Sequence, residues 1–168
     1  ASDLQPGDFK QTIEKLTLYK LQDNTPITFQ DIINCTPISN EAGLDDILNV
    51  ILAGKHFKVS QLLSRLRSQG ILPVTLIITA TKHFKILFSI ISNPNGISSG
   101  AAALRPPVYG PRKEALIRQA RDWGPLKIKT AIQFLVATDF QLRSSNQKIP
   151  QMALVERLFI RIAMLLKS

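Results

Sequence analysis

Cysteine, aromatic residues and long apolar runs are all scarce in this sequence. One cysteine among 168 residues excludes a disulfide framework within the chain and fits a reducing compartment. Charged residues, Pro or Gly interrupt the longest apolar segments, so we predict no membrane span of about 20 apolar residues. Disorder is excluded as the main state, because 45% of the residues are hydrophobic and only 20% are charged. The chain begins at Ala1, and we expect it to be a piece of a longer protein.

Sequence patterns for catalysis are also missing. No Gly-rich phosphate loop is followed by Gly-Lys-Ser/Thr, and Cys35, which we interpret as a small buried apolar group, cannot build a zinc site alone. His56 and His83 fall on different predicted helices without a second ligand at metal spacing, so we expect solvated or locally hydrogen-bonded roles. Asp45 and Asp46 diverge by about 100° on a helix and are interpreted as charges in its first turn. We therefore expect no catalytic residue, no metal site and no cofactor.

Acidic residues are rare in the second part of the chain. Residues 1 to 54 hold 3 Lys+Arg and 8 Asp+Glu (net −5), whereas residues 55 to 168 hold 18 and 4 (net +14). This asymmetry favours a nearby polyanion or an acidic partner surface, although an ordinary solvated exterior explains it equally well. The densest basic region surrounds Trp123 and consists of Arg112, Lys113, Arg118, Arg121, Lys127 and Lys129.

These six cations are candidate contacts for phosphates or for an acidic partner, with the indole of Trp123 as a stacking platform. We favour the other interpretation of Trp123, as a core residue that holds two helices together across the turn at Gly124. The basic side chains would then line one exposed face.

Apolar residues recur at helical spacing almost everywhere, which predicts an all-α fold. A first helix is expected from the N-cap Asp8, with Phe9, Ile13 and Leu16 inward, and a short second helix from Thr28 to Pro37. The second helix would place Phe29, Ile32 and Ile33 inward. The polar stretch of residues 36 to 43 predicts a domain boundary.

Six further helices are expected after that boundary. The first has Leu44, Ile47, Leu48, Ile51 and Leu52 inward and ends at Gly54; the next has Phe57, Leu62, Leu63 and Leu66 inward and ends at Gly70. A long helix from Pro73 to Ser92 places Ile77, Phe84, Leu87, Phe88 and Ile91 inward, and a turn-rich linker over residues 93 to 100 precedes one helical turn over residues 101 to 104. Helices then follow Pro111, Pro125 and Pro150, the middle one with Ile128, Ala131, Ile132, Leu135 and Val136 inward.

Several segments resemble one known family in their order and spacing. They are residues 9–19, 44–55, 69–88, the segment Leu104-Arg105-Pro106-Pro107-Val108, and residues 138–144 followed by 153–158. Together they resemble the C-terminal part of the delta subunit of the bacterial DNA polymerase III clamp loader. The resemblance covers nearly the whole chain and contains no catalytic motif.

The resemblance implies that residues 1–39 are the end of a small helical lid domain and residues 40–168 a helical collar domain. It implies a cytoplasmic, non-catalytic subunit that packs with delta-prime and tau/gamma type subunits to load the sliding clamp on primer–template DNA during replication. The clamp would be contacted through an N-terminal domain that is not in this sequence, and DNA only indirectly. The alternative is a stand-alone basic nucleic-acid-binding module, with Arg112, Arg118, Arg121, Lys127 and Lys129 converging on one concave face around an exposed Trp123. An all-helical enzyme without a known motif is the remaining, weakest option.

Overall fold

The structure, a computed structural model, describes residues 6–21, 26–28, 31, 40–144 and 149–167. These residues form seven α-helices, one short 3-10 helix and no β-strand, so the all-α prediction is confirmed. The helices are α1 (Pro6–Tyr19), α2 (Asn40–Leu52), α3 (Val59–Ser68), α4 (Pro73–Ile91), α5 (Ile97–Ala102), α6 (Gly110–Arg143) and α7 (Gln151–Leu165). The chain divides into two compact units, Ala1–Ser39 and Asn40–Ser168.

In the first unit, α1 begins at Pro6, before the predicted N-cap Asp8, because proline is favourable in the first turn of a helix. Leu16 is buried as predicted, whereas Ile13 is half-exposed, which corrects its assignment to the core stripe. The predicted core positions Phe9, Phe29, Ile32 and Ile33 lie outside the residues whose side chains are described, as do Cys35 and the helix end at Pro37.

A reciprocal hydrogen-bond pair occurs where the second helix was predicted to begin. The backbone N–H and the hydroxyl of Thr28 both donate to Asp31 Oδ2 at 2.8 Å, and the backbone N–H of Asp31 donates to Thr28 Oγ1 at 3.3 Å. This is the pattern of a capping box, which satisfies N–H groups that have no partner within a helix. Lys20 Nζ lies 3.4 Å from Asp31 Oδ2.

In the second unit, α2 begins at Asn40, so residues 40–43, assigned to the linker from sequence, are helical. The earlier start also places Asp45 and Asp46 beyond the first turn, and both are exposed. Their interpretation as first-turn charges is therefore wrong. Gly54 follows α2 with φ +66°, the left-handed conformation expected for a residue that ends a helix.

The residues between α2 and α4 form a 3-10 helix (His56–Lys58) and then α3. Leu63 and Leu66 are buried as predicted, but Phe57 is 66% exposed. Phe57 belongs to the 3-10 helix, which has three residues per turn, and so does not continue the stripe of α3. Gly70, with φ +80°, follows the end of α3 as predicted.

The central helix of the second unit is α4, which packs most extensively against α6. Pro73 begins it, and one face is buried: Leu76, Ile77, Ala80, Phe84, Leu87 and Ile90. Phe88 is 40% exposed, which corrects its assignment to that face. By length and composition alone α4 is able to cross a membrane (19 residues, mean hydropathy 1.5), but its buried face is accounted for by packing against neighbouring helices.

The chain reverses after α4 through α5, which begins at Ile97, inside the stretch predicted as a linker. Gly100 allows this reversal, since a Cβ there would lie 2.9 Å from the Cα of Ile90. The next helix, α6, is interrupted at Gly124, whose φ of 67° and ψ of 167° are not helical, and Pro125 begins its second half. The predicted helix starts after Pro111, Pro125 and Pro150 are thus confirmed to within a residue.

Candidate interaction surface

The six predicted phosphate or partner contacts are all on α6, but they do not converge on one face. Arg118 and Arg121 are three residues apart, are exposed and share one side of the helix. Lys127 and Lys129 follow the interruption at Gly124 and point about 160° apart, to nearly opposite sides of the helix. Lys113 is half-buried. The concave basic face required by the nucleic-acid hypothesis is therefore not formed by these residues.

Lys127 has a structural partner. Its Nζ donates to the backbone carbonyl of Leu166, just beyond the end of α7, at 3.2 Å. A cation at this position also interacts favourably with the negative end of the helix dipole. Lys127 therefore joins α6 to α7.

Trp123 is a core residue, as predicted. Its side chain is 2% exposed, its Nε1–H donates to the Leu52 carbonyl at 3.1 Å, and its ring meets that of Phe84 edge to face with centroids 5.0 Å apart. The hydrogen bond satisfies a buried donor, and the ring pair adds to the apolar burial. Because the indole is inaccessible, it cannot stack on a nucleotide base.

Arg112 lies in a cleft between α2, α4 and α6, together with Asp45, Asn49, His83 and Gln119. His83 Nε2 is 3.0 Å from Gln119 Oε1, so His83 has the locally hydrogen-bonded role predicted for it. Burial lowers the pKa of His83 and outweighs the opposing effects of Gln119 and Asp45, while Arg112 lowers it further. The imidazole is therefore neutral at pH 7, and the cleft residues include no Ser, Thr or Cys nucleophile for it to activate.

The other histidine, His56, has its ring edge to face with Phe57. Its Nδ1 is inaccessible and has no hydrogen-bond partner within the described part of the chain. Nowhere in residues 6–21, 26–28, 31, 40–144 and 149–167 do three His, Cys, Asp or Glu side chains form a group able to hold a metal ion.

One surface was missed from the sequence: an apolar ridge on the second half of α6, formed by Val136, Ala137 and Phe140. The side chains of Val136 and Phe140 are 46% and 77% exposed, which corrects the assignment of Val136 to the core. Leu135 and Leu142 are buried and belong to the stripe of α6 that faces the core. Val136 and Phe140, four residues apart, therefore form a second apolar stripe on another side of the helix. The spacing of this second stripe is the sequence pattern from which the exposed apolar surface was predictable.

A groove flanks the ridge on each side. The α4 groove, between α4 and α6, is lined by Ile77, Ile78, Thr81, Lys82 and Lys85 from α4 and by Val136, Asp139 and Phe140. The α7 groove, between α6 and α7, is lined by Phe134, Ala137, Thr138 and Gln141 and by Leu154, Arg157, Leu158 and Arg161 from α7. Exposed apolar side chains bordered by cations form a surface suited to binding rather than to catalysis.

The chain shares its fold with a clamp-loader delta protein. The match is to the Bacillus subtilis DNA clamp loader delta protein (YqeN), with a TM-score of 0.64 and 22% sequence identity, and it covers 94% of this chain. It covers 45% of the other protein, so this chain spans less than half of that protein's length. No family model and no curated protein matches the sequence. The resemblance inferred from the sequence is confirmed at the level of the fold.

Proposed function

We propose that this chain is a non-catalytic assembly part of a clamp-loader delta subunit. The observation that carries the proposal is the fold shared with the clamp loader delta protein over 94% of the chain. In this proposal, residues 1–39 belong to a helical lid domain and residues 40–168 form the collar domain. The complete subunit acts in the cytoplasm and helps to load a sliding clamp on primer–template DNA.

The partners in this proposal are the other loader subunits, of the delta-prime and tau/gamma types. An assembly domain needs rigid helices with apolar surface left over for a neighbour. The second unit meets both needs, because α4, α6 and α7 share one core while Phe140 and Val136 remain exposed. The chain contributes no catalytic residue and binds no cofactor, and the sliding clamp is contacted by a part of the subunit outside this sequence.

The test is size-exclusion chromatography of the full chain with tau/gamma-type and delta-prime-type subunits encoded by the same genome. We expect the chain to co-elute with them as one complex. Because the chain carries a net charge of +9, a matched control is needed for nonspecific attraction. The double variant Arg118→Glu/Arg121→Glu lowers the net charge by four on the side of α6 before Gly124 and should co-elute as the original chain does. Absence of the original chain from the complex at about 0.15 M salt would reject the proposal.

Direct DNA binding is the competing hypothesis, and the buried indole of Trp123 argues against it. Its test is a titration of labelled primer–template DNA at low and at physiological salt. A phosphate-contact role predicts binding at low salt that weakens steeply as salt rises, and that weakens further in Arg118→Glu/Arg121→Glu. We expect the chain not to bind primer–template DNA at physiological salt.

A further inference from the structure

We propose that the ridge on α6 and its two flanking grooves bind the adjacent subunit of the loader through an apolar surface bordered by carboxylates. This inference rests on the proposed function and names the face of the chain that performs it.

The exposed apolar side chains of this face lie together. Phe140 and Val136 are one helical turn apart on α6, and Ile78, 41% exposed, lines the α4 groove with them. Other exposed apolar residues, such as Phe57 in the 3-10 helix, do not line either groove. Single exposed apolar residues are normal on a protein surface, whereas a contiguous group of them at the mouth of the α4 groove indicates a binding site.

The charges that border the ridge are positive on both sides. Lys82 and Lys85, three residues apart on α4, line one groove, and Arg157 and Arg161, four apart on α7, line the other. Two cations on each flank fit a partner with carboxylates on both sides of an apolar centre, because complementary charges fix the register of an interface.

The acidic residue and one of the arginines in this face are already held in place. Asp139, which lines the α4 groove, is paired with Arg143, whose Nε lies 2.9 Å from Asp139 Oδ2. The guanidinium carbon of Arg161 lies 3.7 Å from the centroid of the Phe134 ring. A cation–π contact of this kind orients the guanidinium at the groove before a partner arrives. The face therefore presents a preformed basic border.

Two other occupants fit less well. A second copy of the same face would bring its Lys and Arg side chains against their own kind, because a two-fold contact uses the same patch on both molecules. An anionic membrane matches the charge, but a ridge between two grooves fits protruding side chains better than a flat bilayer surface. An adjacent subunit with protruding apolar side chains and flanking carboxylates matches the exposed ridge, the cations beside it and the grooves together.

The test compares two substitutions of the same kind in the full chain, Phe140→Asp on the ridge and Phe57→Asp away from it. Both rings are mostly exposed (77% and 66%), so both variants should fold, and circular dichroism checks this. Affinity for the loader subunits is measured by titration. We expect Phe140→Asp to weaken binding at least 10-fold and Phe57→Asp to change it less than twofold. Charge reversal in Arg157→Glu/Arg161→Glu should also weaken binding of the loader subunits at least 10-fold. The control Arg118→Glu/Arg121→Glu, which reverses two charges away from this face, should not weaken it.

The possible failures are distinguishable. If the original chain does not bind the loader subunits, the proposed function itself fails. If the original chain binds and Phe140→Asp binds within twofold of it, the function stands and the proposed face is wrong. Sedimentation with vesicles containing about 30% phosphatidylserine tests the membrane alternative. Vesicle binding that Phe140→Asp abolishes, with subunit binding unchanged, would overturn the inference in favour of a membrane.

Discussion

Replacing Gly100 by alanine tests the close contact between α5 and the end of α4. A Cβ at this position would lie 2.9 Å from the Cα of Ile90, closer than real Cβ atoms approach other heavy atoms. The obstructing atoms belong to the backbone at the end of α4, and the Ile90 side chain is fully buried. A change of side-chain rotamer therefore cannot relieve the clash, and α5 or α4 must shift.

Two opposing effects set the size of the change. Alanine is favoured over glycine inside a helix by about 0.8–1 kcal/mol, whereas forcing extra volume into a packed interior costs about 1–3 kcal/mol. Because the contact is with backbone, which cannot move aside by a change of rotamer, the steric cost should lie at about 2–3 kcal/mol, in the upper part of that range, and exceed the gain in helix propensity. We expect Gly100→Ala to lower the free energy of unfolding by about 1–2 kcal/mol, which lowers the melting temperature by roughly 4 °C per kcal/mol.

The assay is urea unfolding followed by tryptophan fluorescence. Trp123 is the only tryptophan in the chain and is buried in the same unit, so its emission reports the unfolding of that unit. The control is Ser99→Ala, at the exposed neighbouring position of α5, which gains helix propensity without a clash and should leave stability equal or slightly higher. If Gly100→Ala is as stable as the original chain, the backbone of α5 at Gly100 does not pack directly against Ile90 of α4.

Three further predictions concern hydrogen bonds and titration. Trp123→Phe leaves the buried Leu52 carbonyl without its donor and should cost about 2 kcal/mol; an unchanged urea midpoint by circular dichroism would contradict this. Burial lowers the pKa of His83 below its usual 6.5. Below about pH 6.5 the unfolded chain therefore binds the imidazole proton more readily than the folded chain does. The free energy of unfolding should then fall as the pH falls, by at most about 1.4 kcal/mol per pH unit. Urea unfolding at several pH values should show that the free energy of unfolding depends less steeply on pH in His83→Gln. An identical dependence in the two chains would show that the pKa of His83 is not lowered by folding. The backbone hydrogen bond from Thr28, and after it the hydrogen bond from the Thr28 hydroxyl, lower the pKa of Asp31. Thr28→Val removes only the hydroxyl and should raise that pKa part of the way towards 3.8; an unchanged carboxylate titration by NMR would count against the capping box.

The ends of the helices were the features most accessible from sequence. Gly54 and Gly70 adopt the positive φ expected of residues that end helices, and Pro73, Pro111 and Pro125 lie at helix starts. These are local effects of backbone conformation and need no knowledge of distant residues. The start of α2 was misplaced because the polar residues at 40–43 suit a linker as well as a helical first turn.

The locations of Trp123 and the ridge required different kinds of information. Trp123 was correctly assigned to the core because a large aromatic side chain beside a turn usually packs between the two helices that the turn joins, and it is buried with Leu116 and Ala120 of the first half of α6. Val136 follows the buried Leu135 directly and was assigned to the same stripe, but α4 and α7 pack on the sides of α6 and leave Val136 and Phe140 exposed between them. Periodicity alone could not distinguish a broad buried face from two separate stripes.

Local sequence was enough to predict that the chain is helical, that α4, α6 and α7 begin at or beside prolines, and that α2 and α3 end shortly before glycines. It also contains no known catalytic motif. These properties depend only on neighbouring residues and on residue types. The folded chain was needed to show which cations lie close together and which apolar side chains remain exposed. Those properties depend on the packing of α4, α6 and α7, which brings together residues as far apart as Lys82 and Phe140, and no local pattern encodes such contacts.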